Sequence, residues 1–166
     1  MIDVGEMAPD FSLPATLSEP APDGGDAGVP IGRTVTLTQY RGTIDVLIMF
    51  YPLDWSPVCS AEHIKCAKMF PTYSNRLQVL GISVDSIWSH TAFAKAHHIA
   101  YPLLSDFQPR GAVAQQYGVY LPDFGFAART AFLVDKRGRV KLVLSAAVPE
   151  ERELEAVLRN PPPGPS

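Results

Sequence analysis

The sequence predicts an α/β fold: a central mixed β-sheet flanked by α-helices. Three observations lead there. Val46–Tyr51 is a continuous apolar run, Gln78–Val84 is a second, and a helix-length stretch from about Cys59 to Tyr73 separates them. Runs that are apolar throughout mark strands buried on both faces, as in a parallel sheet covered by helices. Strand, helix, strand in that order is a βαβ unit, so the two strands are expected to be parallel.

The other elements follow in order. Pro14 to Arg33 carries Pro14, Pro20, Pro22 and Pro30 with Gly24, Gly25, Gly28 and Gly32, and predicts a mobile surface loop. Pro52 closes the first apolar strand, because proline donates no ladder hydrogen bond. Trp88–His98 and Gly111–Tyr117 read as helices. Thr130–Asp135 and Arg139–Leu144 read as a hairpin turning at Lys136-Arg137-Gly138, with glycine where the chain must reverse. Glu150–Leu158 reads as a last helix before a Pro-rich tail, 161–166. Residues 1–160 are expected to form one domain. A βαβ unit followed by a helix, a hairpin and a final helix is the thioredoxin arrangement, so a thioredoxin-like fold is expected. That fold hosts many functions, and only a site can distinguish them.

Composition narrows the classes. Of 166 residues, 46% are hydrophobic and 19% charged, which suits a packed core. The net charge of −3 comes without clustered Lys or Arg, so no nucleic-acid partner is expected. No apolar run approaches the roughly 18 residues of a membrane span. The opening Met1-Ile2-Asp3-Val4-Gly5 lacks the basic and apolar regions of a leader. Two cysteines are too few for a disulfide framework. A reducing, cytoplasmic location is therefore expected. His97 and His98 are adjacent and diverge by about 100° on a helix, so no metal site is expected from them.

The candidate site is the stretch Phe50-Tyr51-Pro52-Leu53-Asp54-Trp55-Ser56-Pro57-Val58-Cys59-Ser60-Ala61-Glu62. It leaves the C-terminal end of a parallel strand, the edge where open α/β sheets bind ligands. Cys59 falls in the first helical turn. Free backbone N–H groups and the positive end of the helix dipole meet there, and both favour a thiolate, the nucleophilic form.

Pro52-x-x-x-Ser56-x-x-Cys59 resembles the signature of the peroxiredoxin family, Pro-x-x-x-Thr/Ser-x-x-Cys. The likeness extends to Val4-Gly5, Ala8-Pro9-Asp10-Phe11-Ser12-Leu13, Gly81-Ile82-Ser83-Val84-Asp85-Ser86 and Pro102-Leu103-Leu104-Ser105-Asp106-Phe107. Gly111-Ala112-Val113-Ala114-Gln115-Gln116-Tyr117-Gly118-Val119 is similar to the one-cysteine, AhpE-type branch. The resemblance implies a cofactor-free thiol peroxidase acting on hydrogen peroxide, organic hydroperoxides or peroxynitrite. It implies that Cys59 is the peroxidatic cysteine, that Ser56 hydrogen-bonds peroxide and that Pro52 shields the thiolate. It further implies that Arg129 orients thiolate and substrate and that Glu62 holds an arginine. An external thiol (thioredoxin, a glutaredoxin-like protein or a low-molecular-weight thiol) is the implied reductant, and a homodimer the implied assembly. Serine stands at position 56 where threonine is commoner. It keeps the hydroxyl and loses the methyl that limits rotamers.

Each residue also has a plainer reading. An arginine at a strand start often makes only a surface ion pair. Cys66 shares a helical face with Cys59, Glu62, His63, Met69, Phe70 and Tyr73, which becomes apolar along its length and points to core packing. As a resolving cysteine, Cys66 would sit about 10.5 Å along the helix from Cys59, against the roughly 7 Å limit between bridged Cα atoms. One-cysteine chemistry is the expectation. Two rival functions use the same sulfur. A thiol–disulfide oxidoreductase needs a second cysteine where Ser56 stands, and its absence argues against dithiol exchange. A peroxide sensor or holdase would pass the oxidation to a partner.

Overall fold

The structure is a computed structural model describing residues 1–16, 33–148, 150 and 152–160. The bulk of the loop expected at 14–33, residues 17–32, and the tail at 161–166 lie outside the described residues.

A seven-stranded sheet runs, in spatial order, β2 (Arg33–Thr36), β1 (Ser12–Ala15), β5 (Leu103–Ser105), β4 (Leu77–Ser83), β3 (Asp45–Phe50), β8 (Thr130–Val134) and β9 (Val140–Ser145). Its centre is β3, parallel to β4 and antiparallel to β8. β8 turns through Gly138, at φ 89°, into β9. On the other side β4 pairs in parallel with β5. β1 then joins β5 and pairs antiparallel with β2. A separate two-stranded ribbon joins β6 (Tyr120–Leu121) to β7 (Phe126–Ala127). The helices are α1 (Pro57–Tyr73), α2 (Ile87–His97), α3 (Ala112–Gln116) and α4 (Glu155–Arg159). None of them is long and apolar enough to cross a membrane.

From Val46 to Phe50 β3 is apolar, because both its faces are core. Val46, Ile48 and Phe50 pack with Phe11, Tyr117 and Phe132 on one side. Leu47 and Met49 pack on the other with Cys66 and Tyr73 of α1, Phe93 of α2 and Leu158 of α4. Each such side chain contributes about 1.5–3 kcal/mol by leaving water.

Four expectations need correction. Pro14, Ala15 and Arg33, placed in the loop, belong to β1 and β2, where Leu13 and Ala15 alternate inward. β5, β6 and β7 were not foreseen; at two or three residues they are shorter than any periodic signal. α1 starts at Pro57 rather than Cys59, since proline's fixed φ and missing N–H suit the first helical position. The last helix starts at Glu155 rather than Glu150, because Arg152 is drawn inward by tertiary hydrogen bonds.

Candidate active site

The segment from Tyr51 to Cys59 descends from the end of β3 into α1. Pro52 is buried beside the strand end. Trp55 adopts φ 70°, a left-handed conformation that costs a non-glycine residue about 1–2 kcal/mol. Ser56 caps α1 in an extended conformation, and Pro57 opens the helix. Cys59 therefore lies in the first turn, fully buried. Its backbone N–H precedes the first intrahelical bond, from Ser60 N–H to the Ser56 carbonyl.

Hydrogen bonds from two neighbouring elements hold the strained loop. The buried Asp54 carboxylate accepts from Tyr51 Oη at 2.6 Å and Ser89 Oγ at 2.9 Å, and lies 2.8 Å from His90 Nδ1. Asp54 N–H donates to Asp85 Oδ2 at 2.8 Å. The Trp55 indole donates to Ser89 Oγ at 3.2 Å, and its ring meets Phe93 edge-on at 5.2 Å. His90 Nε2 donates to the Leu104 carbonyl at 2.8 Å. Burial alone would raise the Asp54 carboxyl, but the hydrogen bonds and charge of His90, with those of Tyr51 and Ser89, hold it below the usual range. Burial, and then the nearby Asp54 charge, push Asp85 up. Asp54, Asp85 and His90 bring ligand-type atoms within 4.8 Å of one another, the arrangement a cation would need. Here those atoms are engaged with one another and with the backbone.

Behind Cys59 lies a buried ion cluster. Arg129 Nη1 donates to Glu62 Oε1 at 2.6 Å, and its Nε and Nη2 donate to the Val148 carbonyl at 3.0 and 2.7 Å. Arg152 grips the same carboxylate through Nε at 3.0 Å, Nη2 at 3.1 Å and its backbone N–H at 2.8 Å. Its Nη1 donates to the Phe50 carbonyl at 2.8 Å, tying the cluster to the end of β3. Burial would raise the Glu62 carboxyl, but the hydrogen bonds and charge of Arg152, with the bond from Arg129, hold it low. Two guanidinium groups share one carboxylate, so the cluster keeps a net positive charge one helical turn from Cys59.

The structure brings Cys59, Glu62, Arg129 and Pro52 to one end of the sheet. Arg129 is 1% exposed, which rules out a surface ion pair. Ser56 is close in the chain, but its Oγ donates to the Leu53 carbonyl at 3.2 Å. Cys66 is 1% exposed in the core beneath α1, and burial pushes its thiol up to about 12. α1 is continuous between the two cysteines, and both are free thiols. Sequence reasoning missed Arg152, which it placed inside a helix, and the pairing of Asp54 with Asp85, Ser89 and His90. No spacing rule links those residues, because the contacts exist only after α2 docks.

A sequence model of the AhpC/TSA family matches residues 4–143. Among individual proteins, the chain is 35% identical over 142 residues to alkyl hydroperoxide reductase E of Mycobacterium tuberculosis H37Rv, covering 85% of this chain and 84% of that one. It is 31% identical over 146 residues to the chloroplastic 2-Cys peroxiredoxin BAS1 of Hordeum vulgare, covering 83% and 63%. Of solved structures, Mycobacterium bovis AhpC superposes with a TM-score of 0.80 at 28% identity, over 96% and 95% of the chains. The reduced 2-Cys peroxiredoxin of Plasmodium vivax gives 0.78 at 31%, over 94% and 92%.

Proposed function

The chain belongs to the AhpC/TSA family of peroxiredoxins, and from that premise we propose how its site carries out thiol-dependent peroxide reduction. The Cys59 thiolate attacks one peroxide oxygen. The S–O bond forms as the O–O bond breaks, the leaving alkoxide or hydroxide takes up a proton (peroxynitrite releases nitrite instead), and Cys59 becomes a sulfenic acid. Negative charge moves from sulfur to the leaving oxygen, so fixed positive charge nearby lowers the barrier. Arg129 supplies that charge. Glu62 positions Arg129, and Arg152 holds Glu62 from its other side. Pro52 shields the sulfur from water. The Ser56 hydroxyl turns from the Leu53 carbonyl to meet the peroxide.

The observation that carries this reading is a buried cysteine in the first turn of α1 above a net-positive Glu62–Arg129–Arg152 cluster. An external thiol then attacks the sulfenic sulfur, releasing water, and a second thiol frees Cys59. Thioredoxin, a glutaredoxin-like protein or a small thiol fits this role, since Cys66 is packed in the core. Hydrogen peroxide, organic hydroperoxides and peroxynitrite are all within the chemistry. We place the enzyme in the cytoplasm, as a homodimer of one-domain chains spanning residues 1–160.

The test is stoichiometry. Without thiol, the reduced protein is expected to consume one equivalent of peroxide per chain and stop. Added thiol restores turnover. Continued consumption with no thiol present contradicts the reading.

A further inference from the structure

His63 sits one turn after Cys59 on the buried face of α1 and is fully buried. Its Nδ1 lies 2.5 Å from Tyr101 Oη. Burial, with the nearby Arg152 charge, lowers the imidazole to about 3, so the ring is neutral. Burial likewise keeps the Tyr101 phenol protonated. The phenol therefore donates, Nδ1 accepts, and the imidazole proton is fixed on Nε2.

That Nε2–H has no hydrogen-bond partner. Among the described residues, the other buried side-chain atom without a partner is Asp135 Oδ2, an acceptor at the β8–β9 hairpin. A buried donor left unpaired costs about 1–3 kcal/mol. Its direction follows from the fold. Tyr101 reaches Nδ1 from the segment before β5, whose Leu103 pairs with Gly81 of β4, so Nδ1 is committed to that segment. Cε1 packs over Gly81, 3.2 Å from where a Cβ would stand, and together with Leu103 Cδ2 at 2.7 Å it leaves no room for a side chain there. The remaining nitrogen, Nε2, flanks Cε1 on the other side from Nδ1, so its N–H diverges from the bond to Tyr101. Helical side chains also lean toward the preceding turn, here the turn of Cys59. Around this ring stand Tyr51 and Phe93, edge-on at 4.3 and 5.5 Å, with the charged groups of Arg152, Asp54, Glu62 and His90 farther out.

Peroxide reduction adds one oxygen to a sulfur that is itself fully buried. With that sulfur out of contact with solvent, protein donors must serve the new oxygen, and the His63 Nε2–H stands beside those already assigned to Ser56 and Arg129. We propose that the His63 Nε2–H, unpaired in the reduced enzyme, receives the oxygen added to Cys59, so that His63 is a further catalytic residue of the peroxide step. The inference rests on the peroxidase reading of Cys59 and deepens it.

The direct test is NMR of the ¹⁵N-labelled full chain before and after one equivalent of hydrogen peroxide, with the product checked by mass. The reduced protein is expected to show His63 as the Nε2–H tautomer. That proton should move downfield when Cys59 gains one oxygen. His63→Leu is expected to slow sulfenic acid formation about tenfold, the size of effect of one charge-assisted hydrogen bond. His63→Gln, which returns an N–H near the same place, should recover the rate to within about threefold of wild type. If Cys59 gains oxygen while the His63 signal stays still, or if all three proteins react at one rate, the inference fails and the N–H is spent on the ring faces of Tyr51 or Phe93. If Cys59 gains no oxygen at all, the peroxidase reading itself fails.

Discussion

Cys59→Ser is expected to cut peroxide consumption by at least about 10³-fold in a stopped-flow assay, while the protein stays folded. The loss follows from nucleophilicity. Sulfur is the atom that bonds to the peroxide oxygen, whereas a serine hydroxyl is a poor nucleophile without a base beside it. The other cysteine, Cys66, is packed in the core and cannot replace it. Cys66→Ser should behave in the opposite way. Its peroxide rate should stay within about twofold of wild type, because the thiol is packed among Tyr73, Leu77 and Phe93. Its stability should fall by about 1–3 kcal/mol, because a hydroxyl is put where the core offers no designed partner. Equal activity in Cys59→Ser and wild type would remove the foundation of the account.

Glu62→Ala is expected to lower both stability and rate. Glu62, Arg129 and Arg152 are 3%, 1% and 6% exposed. Removing the shared carboxylate leaves two buried cations facing each other. Breaking a buried pair in this way costs about 3–5 kcal/mol, more than the pair itself contributes. Arg129 would keep its bonds to the Val148 carbonyl but lose the one that fixes Nη1, so the peroxide rate should fall with the denaturation midpoint. The pH dependence has a definite sign. The folded carboxyl titrates below its ordinary value of 4.5. Its stabilisation is therefore fully present above that value and is lost as pH falls through the lower, folded one. In urea titrations, wild type should lose stability on that acid side, and Glu62→Gln should show a shallower loss. Equal midpoints for wild type and Glu62→Ala at neutral pH would contradict the cluster's role.

The parts legible in the sequence carry their signal locally. β3 and β4 announce themselves as apolar runs, the β8–β9 turn by Gly138, and the place of Cys59 in the first turn of α1 by Pro52, which closes β3 shortly before it. Cys66 was legible as core because a 3.6-residue period puts it under Tyr73. The missed parts depend on contacts between distant segments. β1 and β2 are four-residue strands flanking a Pro- and Gly-rich stretch whose composition masks them. Arg152 fits a helical pattern, yet its hydrogen bonds to Glu62 and Phe50 are worth more than another turn of helix. His63 read as one more residue on a buried face. Only the placement of Tyr101 beside it fixes which nitrogen carries the proton.

The central claim is that Cys59 reacts alone, and the intact mass after one equivalent of hydrogen peroxide tests it most directly. The account expects a gain of about 16 Da, one oxygen atom, which persists until thiol is added and maps to the peptide carrying Cys59. A loss of about 2 Da, with Cys59 and Cys66 joined in one disulfide, would contradict it. That outcome would require the first turns of α1 to unwind, because the intact helix holds the two Cα atoms about 10.5 Å apart.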